Sequence, residues 1–307
     1  MSKKKWVLMT ACGIPALLVL AVAGLYLYGL WRQSGRQVEP RLLVKILPCE
    51  RLLYDVTSPL GESGTITVEV SPLLTLEDGR NAYRITYTLH TVPAVAAIYV
   101  LKGQVTTLID ARTLLPLEYE QQVVSGLGIK GGERKHEKLV YDRTAHTLTY
   151  YKEPDGQEGV WRLKNTRPIP PDAQHFTSLF YFIRDINMQP DGQLNATISD
   201  RKRDFSIIAA VLREEDYKAP DGATRQAVVL HTKSDFGKEE VQGADFLIWL
   251  DKEDRYPVRI DAKTKWGTIS GKLVNRTIIT PSSETNERSR NHTGTVSVDP
   301  APGKTSS

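Results

Sequence analysis

From residue 65 to residue 153 the chain is a succession of short runs rich in Val, Ile, Thr and Tyr, and no other feature limits its fold so strongly. "TITVEVSPLL" (65–74), "NAYRITYTLH" (81–90), "QVTTLIDA" (104–111), "PLEYEQQVV" (116–124), "HEKLVYDR" (136–143) and "HTLTYYKE" (146–153) mostly alternate apolar with polar residues. Gly, Asp, Asn and Pro bound them. Side chains along a strand point to opposite faces in turn, so these runs suit strands with one face buried. β-Branched and aromatic residues also fit a pleated surface. "LNATISD" (194–200), "DFSIIAAVLREE" (204–215), "TRQAVVLHTK" (224–233), "LIWLDKEDRYPVRIDAKTKWGTISGKL" (247–273) and "LVNRTIIT" (273–280) continue the pattern. Pro154-Asp155-Gly156 and Pro220-Asp221-Gly222 mark tight turns, where Gly accepts positive φ. The chain therefore reads as mainly β.

One stretch reads as a helix. "DAQHFTSLFYFIRDIN" follows Pro168-Ile169-Pro170-Pro171, and the Asp172 carboxylate is placed to cap its first turn. Phe176, Leu179, Phe180 and Ile183 recur at helical spacing and predict one apolar face on a helix over 173–186. His175 is expected on its polar surface. "VPAVAAIYVLK" (92–102) reads as a short helix at its start, with a strand as the alternative.

The N-terminus carries a different signal. Lys3, Lys4 and Lys5 precede an apolar run from Trp6 to Trp31. Its length of roughly 25 residues exceeds the about 20 that span a bilayer as helix. Tyr26, Tyr28 and Trp31 near its end suit an interface. Residues 1–32 are thus expected to anchor the chain in the inner membrane as a single pass, with the remainder in the periplasm. Ala21-Val22-Ala23 before Gly24 keeps a cleaved signal peptide open as the alternative. Residues 33–48 read as a connector, 49–281 as the exported β domain and 282–307, rich in Pro, Gly, Ser and Thr, as a disordered tail.

Two stretches share a pattern. In "TLIDARTLLPLEYE" (107–120) and "IWLDKEDRYPVRID" (248–261) an Asp ends an apolar strand and a Pro follows six residues later. Asp110 and Asp251 are expected to accept hydrogen bonds from the turn, with Pro116 and Pro257 opening the returning strands. "LVYDRTAHTLTYY" (139–151) is a looser copy without the proline.

Signs of chemistry are sparse. None of the six histidines forms a metal-type pair, and Cys12 and Cys49 are the only cysteines. "GLGIKGGERK" (126–135) lacks the G-K-[ST] of a phosphate cradle and reads as a hairpin loop. Forty Lys and Arg against 36 Asp and Glu are interleaved, which argues against nucleic acid. "SDRKRD" (199–204) reads as a solvated turn, with anionic lipid head groups as the sharper alternative. No catalytic residue, metal or cofactor is expected.

The order of "ERLLYDV", "GTITVEV", "TTLIDARTLLPLEYE", "HFTSLFYFIRDINMQPDGQ" and "FLIWLDKEDRYPVRIDAKTKWGTISGKL" resembles domain-of-unknown-function family 3108, bacterial and exported, over about residues 50–275. Its usual glycine-rich step after the first strand is altered here to "PLGESGTI". The W-x-D, turn, P-V-R-I hairpin is more distantly similar to hairpins of the periplasmic lipoprotein carriers LolA and LolB. That resemblance implies an unclosed antiparallel barrel with helices over its mouth, holding acyl chains. The expectation is a large curved antiparallel sheet or unclosed β-barrel with one amphipathic helix, preceded by a transmembrane helix. Phe176, Leu179, Phe180 and Ile183 are its expected ligand-binding residues, and a lipid or lipoprotein its expected ligand. An envelope scaffold with a filled core is the alternative.

Overall fold

The computed structural model describes residues 46–235, 245–264 and 267–279. The expected anchor (1–32), nearly all of the connector (33–48) and the expected tail (282–307) lie outside the described residues. Among the described residues, no helix is long and apolar enough to cross a membrane.

The first half comprises β1 (Glu50–Ser58), β2 (Gly61–Val70), β3 (Leu74–Thr75), β4 (Asn81–Thr91), the short helix α1 (Pro93–Ala96), β5 (Tyr99–Asp110), β6 (Pro116–Leu127), β7 (Glu133–Asp142), β8 (Thr147–Lys152) and β9 (Arg162–Pro168). After α2 (Phe176–Phe182) come β10 (Gln193–Ser199), β11 (Asp204–Lys218), β12 (Thr224–Asp235), β13 (Asp245–Asp251), β14 (Pro257–Thr264) and β15 (Gly267–Ile278). The described strands form one sheet in the order β10-β11-β12-β13-β14-β15-β1-β2-β4-β5-β6-β7-β8-β9, with β3 on the side of β4. Nearly every step joins sequence neighbours antiparallel; the exception that matters is β15 beside β1, which brings the two ends of the described chain together. Hairpin steps need only short loops, whereas β1–β15 pairing cannot be read from local signals.

The sheet does not close into a full ladder. β9 and β10 are its two ends, and side chains span the gap between them. Arg167 on β9 donates to the carbonyls of Asp200 (2.6 Å) and Arg203 (3.0 Å) and pairs with Asp204 at 2.8 Å. Asn165 donates to Arg201 O (3.0 Å), and Tyr141 to Ser199 O (2.9 Å). The run 199–204 is therefore more than a solvated turn, because its carbonyls receive the far edge of the sheet. Charge-assisted donors are strong enough to replace part of a missing ladder.

The Asp hairpins follow one geometry. Asp251 Oδ1 accepts from Glu253 N (3.0 Å) and Asp254 N (2.6 Å). Asp110 Oδ1 accepts from Arg112 N (3.0 Å) and Thr113 N (2.7 Å). Asp142, in the copy without proline, accepts from Thr144 N (2.9 Å) and Ala145 N (2.8 Å). In each turn the residue four positions after the Asp takes a left-handed conformation: Leu114 (φ 58), His146 (φ 52) and Arg255 (φ 61). The shared turn thus depends on the Asp, and the proline only opens the returning strand.

Two apolar cores result. The larger lies under β1, β2 and β4 to β8, with Leu52, Ile85, Ile109, Leu139 and Leu148 buried. The smaller lies between α2 with its following turn and β10 to β13, with Ile183, Ile198, Leu230 and Leu250 buried.

The helix is shorter than its periodicity suggests. Residues 172–175 are not helical; Gln174 instead bridges to Ile198, donating to Thr197 O (2.7 Å) and accepting from Ser199 N (2.9 Å). Pairing with β10 thus overrides helical propensity. The cap is His175, not Asp172. Its ring Nδ1 accepts from Thr177 N (3.3 Å), and Ser178 Oγ accepts from His175 N (2.9 Å), a reciprocal capping box. A single 3-10 turn, Ile183–Asp185, finishes the segment.

Candidate functional site

α2 is held at both ends by groups from the sheet. Arg143 donates to Ala173 O (2.9 Å) ahead of it, and Tyr87 donates to Thr177 O (2.8 Å) in its first turn. Arg255, projecting from the Asp251 hairpin, donates to Arg184 O (2.7 Å) and Ile186 O (3.0 Å). These carbonyls have no partner within a helix that ends here, so the arginine satisfies them.

So fixed, the helix serves two environments. Leu179, Phe182, Ile183 and Ile186 pack into the smaller core. Phe176, Phe180, Tyr181 and Arg184 line a cavity of about 560 Å³. Its walls come from Leu52, Val68 and Val105 on one side and Ile260 and Ile269 on the other. The middle of the cavity is apolar, with charged and polar groups at its two ends, and the volume lies within the roughly 300–1,000 Å³ usual for a small-molecule site.

Of the four residues expected to bind ligand, Phe176 and Phe180 line this cavity. Leu179 and Ile183 do not; both belong to the smaller core. The segment thus has a second apolar face at positions 179, 182, 183 and 186, which meets β10 to β13 and not the cavity.

Polar groups gather at the two ends of the helix. Toward its C-terminus, Arg184 is almost fully buried, reaches Glu50 at 3.3 Å and stacks over the Tyr181 ring at 4.3 Å. Glu50, also buried, takes a second cation, Arg276, at 3.0 Å. Burial works against the Arg184 charge, but Tyr181, Glu50 and Tyr54 outweigh it and leave the guanidinium more basic than usual. Tyr54 donates to Pro257 O (2.8 Å), and burial pushes its phenol far above the usual range.

Toward the helix N-terminus stand His175, Asp200 and Arg201. His175 is buried, against the expectation of a polar surface position, and its ring centroid lies 3.9 Å from that of Tyr119. Burial, and secondarily Arg201, push it down to about 3. It is therefore neutral at neutral pH, which leaves Nδ1 free to accept the capping hydrogen bond. Arg201 pairs with Glu137 at 2.6 Å. Glu137 also accepts from Gln121 (2.6 Å) and Tyr150 (2.9 Å), so this charge is well compensated.

The sequence matches the family model "Protein of unknown function (DUF3108)" over residues 53–274. The chain belongs to that family. No curated protein matches it. Among solved structures it is similar to a β-barrel-like protein of the DUF1849 domain from Brucella abortus, at 12% identity and a TM-score of 0.50, over 80% of this chain and 100% of that one. That likeness concerns the fold. A candidate lipoprotein from Parabacteroides distasonis aligns at 8% identity and a TM-score of 0.33, covering 77% of this chain and 99% of that one. A candidate exported protein with a YmcC-like fold from Bacteroides fragilis aligns at 12% identity and 0.32, with the same coverages.

Sequence reasoning passed over Arg184 and Tyr54. A signal for Arg184 exists: it stands four residues after Phe180 and eight after Phe176, on the same helical stripe. Tyr54 has no such signal, because its place at the cavity depends on β1 pairing with β15.

Proposed function

We propose that the chain is a non-catalytic, membrane-anchored envelope protein whose β domain holds an acyl chain or another apolar ligand beneath α2. The observation that carries this reading is the cavity of about 560 Å³, walled by apolar side chains and roofed by Phe176 and Phe180. A filled core is the ordinary state of a protein interior. Leaving such a volume open forgoes contacts that a ligand restores. The unclosed sheet resembles the architecture implied by the LolA and LolB likeness, and membership in the family adds no reaction to set against it. The lysines ahead of the apolar run support a periplasmic β domain with the bilayer as its first partner. Nucleic acid has no place in this reading.

The test compares the full chain with an Ala262→Trp variant that fills the cavity from β14. Both are held in amphipol, and extracted lipids are measured by mass spectrometry. A species carried by the parent and absent from the variant is expected. Identical lipid content in two equally stable proteins overturns the reading and leaves an envelope scaffold. A periplasm-specific reporter fused after residue 285 is expected to be active.

A further inference from the structure

The polar end of the cavity is under-supplied with acceptors. Arg184 Nε and Tyr181 Oη are buried and have no hydrogen-bond partner among the described residues. Both residues line the cavity, and each is at most 2% exposed. The carboxylate paired with Arg184, Glu50, sits 3.3 Å from it and is closer, at 3.0 Å, to Arg276. Charge-assisted N–H···O bonds ordinarily run at about 2.7–2.9 Å. The charge of Arg184 is still compensated while its Nε–H keeps no acceptor, and buried polar atoms without partners are uncommon in native interiors. Arg143 and Arg201 also carry an unpartnered buried nitrogen. Arg143 does not line the cavity, and Arg201 already binds Glu137.

We propose that Arg184 and Tyr181 receive the carboxylate of a single-chain fatty acid whose tail lies against Leu52, Val68 and Val105. This rests on the cavity reading above and specifies its ligand. A carboxylate offers two acceptor oxygens, one for a guanidinium N–H and one for a phenol O–H. The proposal requires the Arg184 and Tyr181 side chains to turn these sealed donors toward the head group. Tyr181 keeps its proton, because burial raises its phenol well above the usual range, so it donates. The cavity is of the size that takes one small ligand, which favours a single chain over a diacyl lipid.

The experiment titrates the full chain in amphipol with cis-parinaric acid and, separately, with its methyl ester, using empty amphipol as the blank. The acid and ester share a tail and differ in charge at the head. The parent is expected to prefer the acid by about tenfold. Tyr181→Phe is expected to weaken the acid about threefold and leave the ester unchanged. Arg184→Gln is expected to erase the preference. Should Arg184→Gln fail to fold, the parent's preference and the Tyr181→Phe variant decide. Equal binding of acid and ester by the parent, or equal weakening of both by Tyr181→Phe, overturns the proposal while the apolar cavity stands. Binding of neither probe overturns the cavity reading itself.

Discussion

The two sides of the α2 segment meet opposite surroundings. On one side Ile183 and Ile186 are wholly enclosed and share one buried cluster with Ile198, Leu230 and Leu250 of β10 to β13. On the other, Phe176 and Phe180 remain half-buried, with one edge on the smaller core and the rest beside open volume. Both sides are apolar at helical spacing. The difference shows that amphipathic periodicity reports which positions leave water, and is silent on whether they meet tight neighbours or a void. Burial and close packing are separate contributions: removing a side chain costs transfer energy in either place, and an added cavity term only where the packing was dense.

The largest test of that contrast is Ile183→Ala, expected to cost about 2–5 kcal/mol by urea denaturation. A loss comparable to that of Phe180→Ala would erase the distinction between the two sides. Next comes Asp251→Ala. It removes the acceptor for Tyr217 Oη (2.6 Å) and for two turn amides, and so loosens the hairpin whose Arg255 holds the helix end. It is expected to cost about 1–3 kcal/mol and to weaken both sides together, measured as a shared shift in stability and in probe binding. A variant that melts like the parent yet loses all cellular activity would make this hairpin a site in its own right.

Phe180→Ala is expected to cost less, about 1–2 kcal/mol, since only part of its transfer energy is forfeited beside existing space. Lipid retention should fall more than stability does. A loss of about 3–5 kcal/mol, as from a dense core, would mean the cavity side is packed after all. The smallest effect at neutral pH concerns His175. Burial lowers it to about 3, below its unfolded value near 6.5. The unfolded chain therefore binds the proton first, and stability is lost as pH falls from about 6.5 toward 3. His175→Asn keeps a capping side chain without the titration. It should match the parent near pH 7.5 and lose less stability at pH 5. Parallel losses in the two proteins would show that His175 does not contribute to acid sensitivity.

Much of the architecture was legible because it is local. Period-two alternation marks strands without reference to anything distant, and the Asp of each hairpin acts on amides two and three residues away. The third copy, at Asp142, was recognisable for the same reason even though it lacks the proline. The short α1 was legible only in part, since 92–102 reads as a helix at its start or as a strand; in the structure Pro93 opens its first turn. The residues with the greatest bearing on a ligand are legible only in part. Phe176 and Phe180 declare themselves by spacing. Arg184 reads as the polar edge of the same stripe, and nothing nearby in sequence reveals that Glu50, 134 positions away, is its carboxylate.

A mainly β chain, one aromatic helix, the Asp turns and an apolar N-terminal run are local properties, because each depends on neighbours within a few residues. Long-range packing sets the rest: β1 pairs with β15, Gln174 bridges to β10 ahead of the helix, His175 is buried and neutral, and Leu179 and Ile183 fill a core while Phe176 and Phe180 edge a cavity. Those outcomes depend on how far a twisted sheet curls before its edges meet. The curl sums small twists over many strands and ends at the side-chain contacts of Arg167 and Asn165 with 200–204, so no local pattern encodes it.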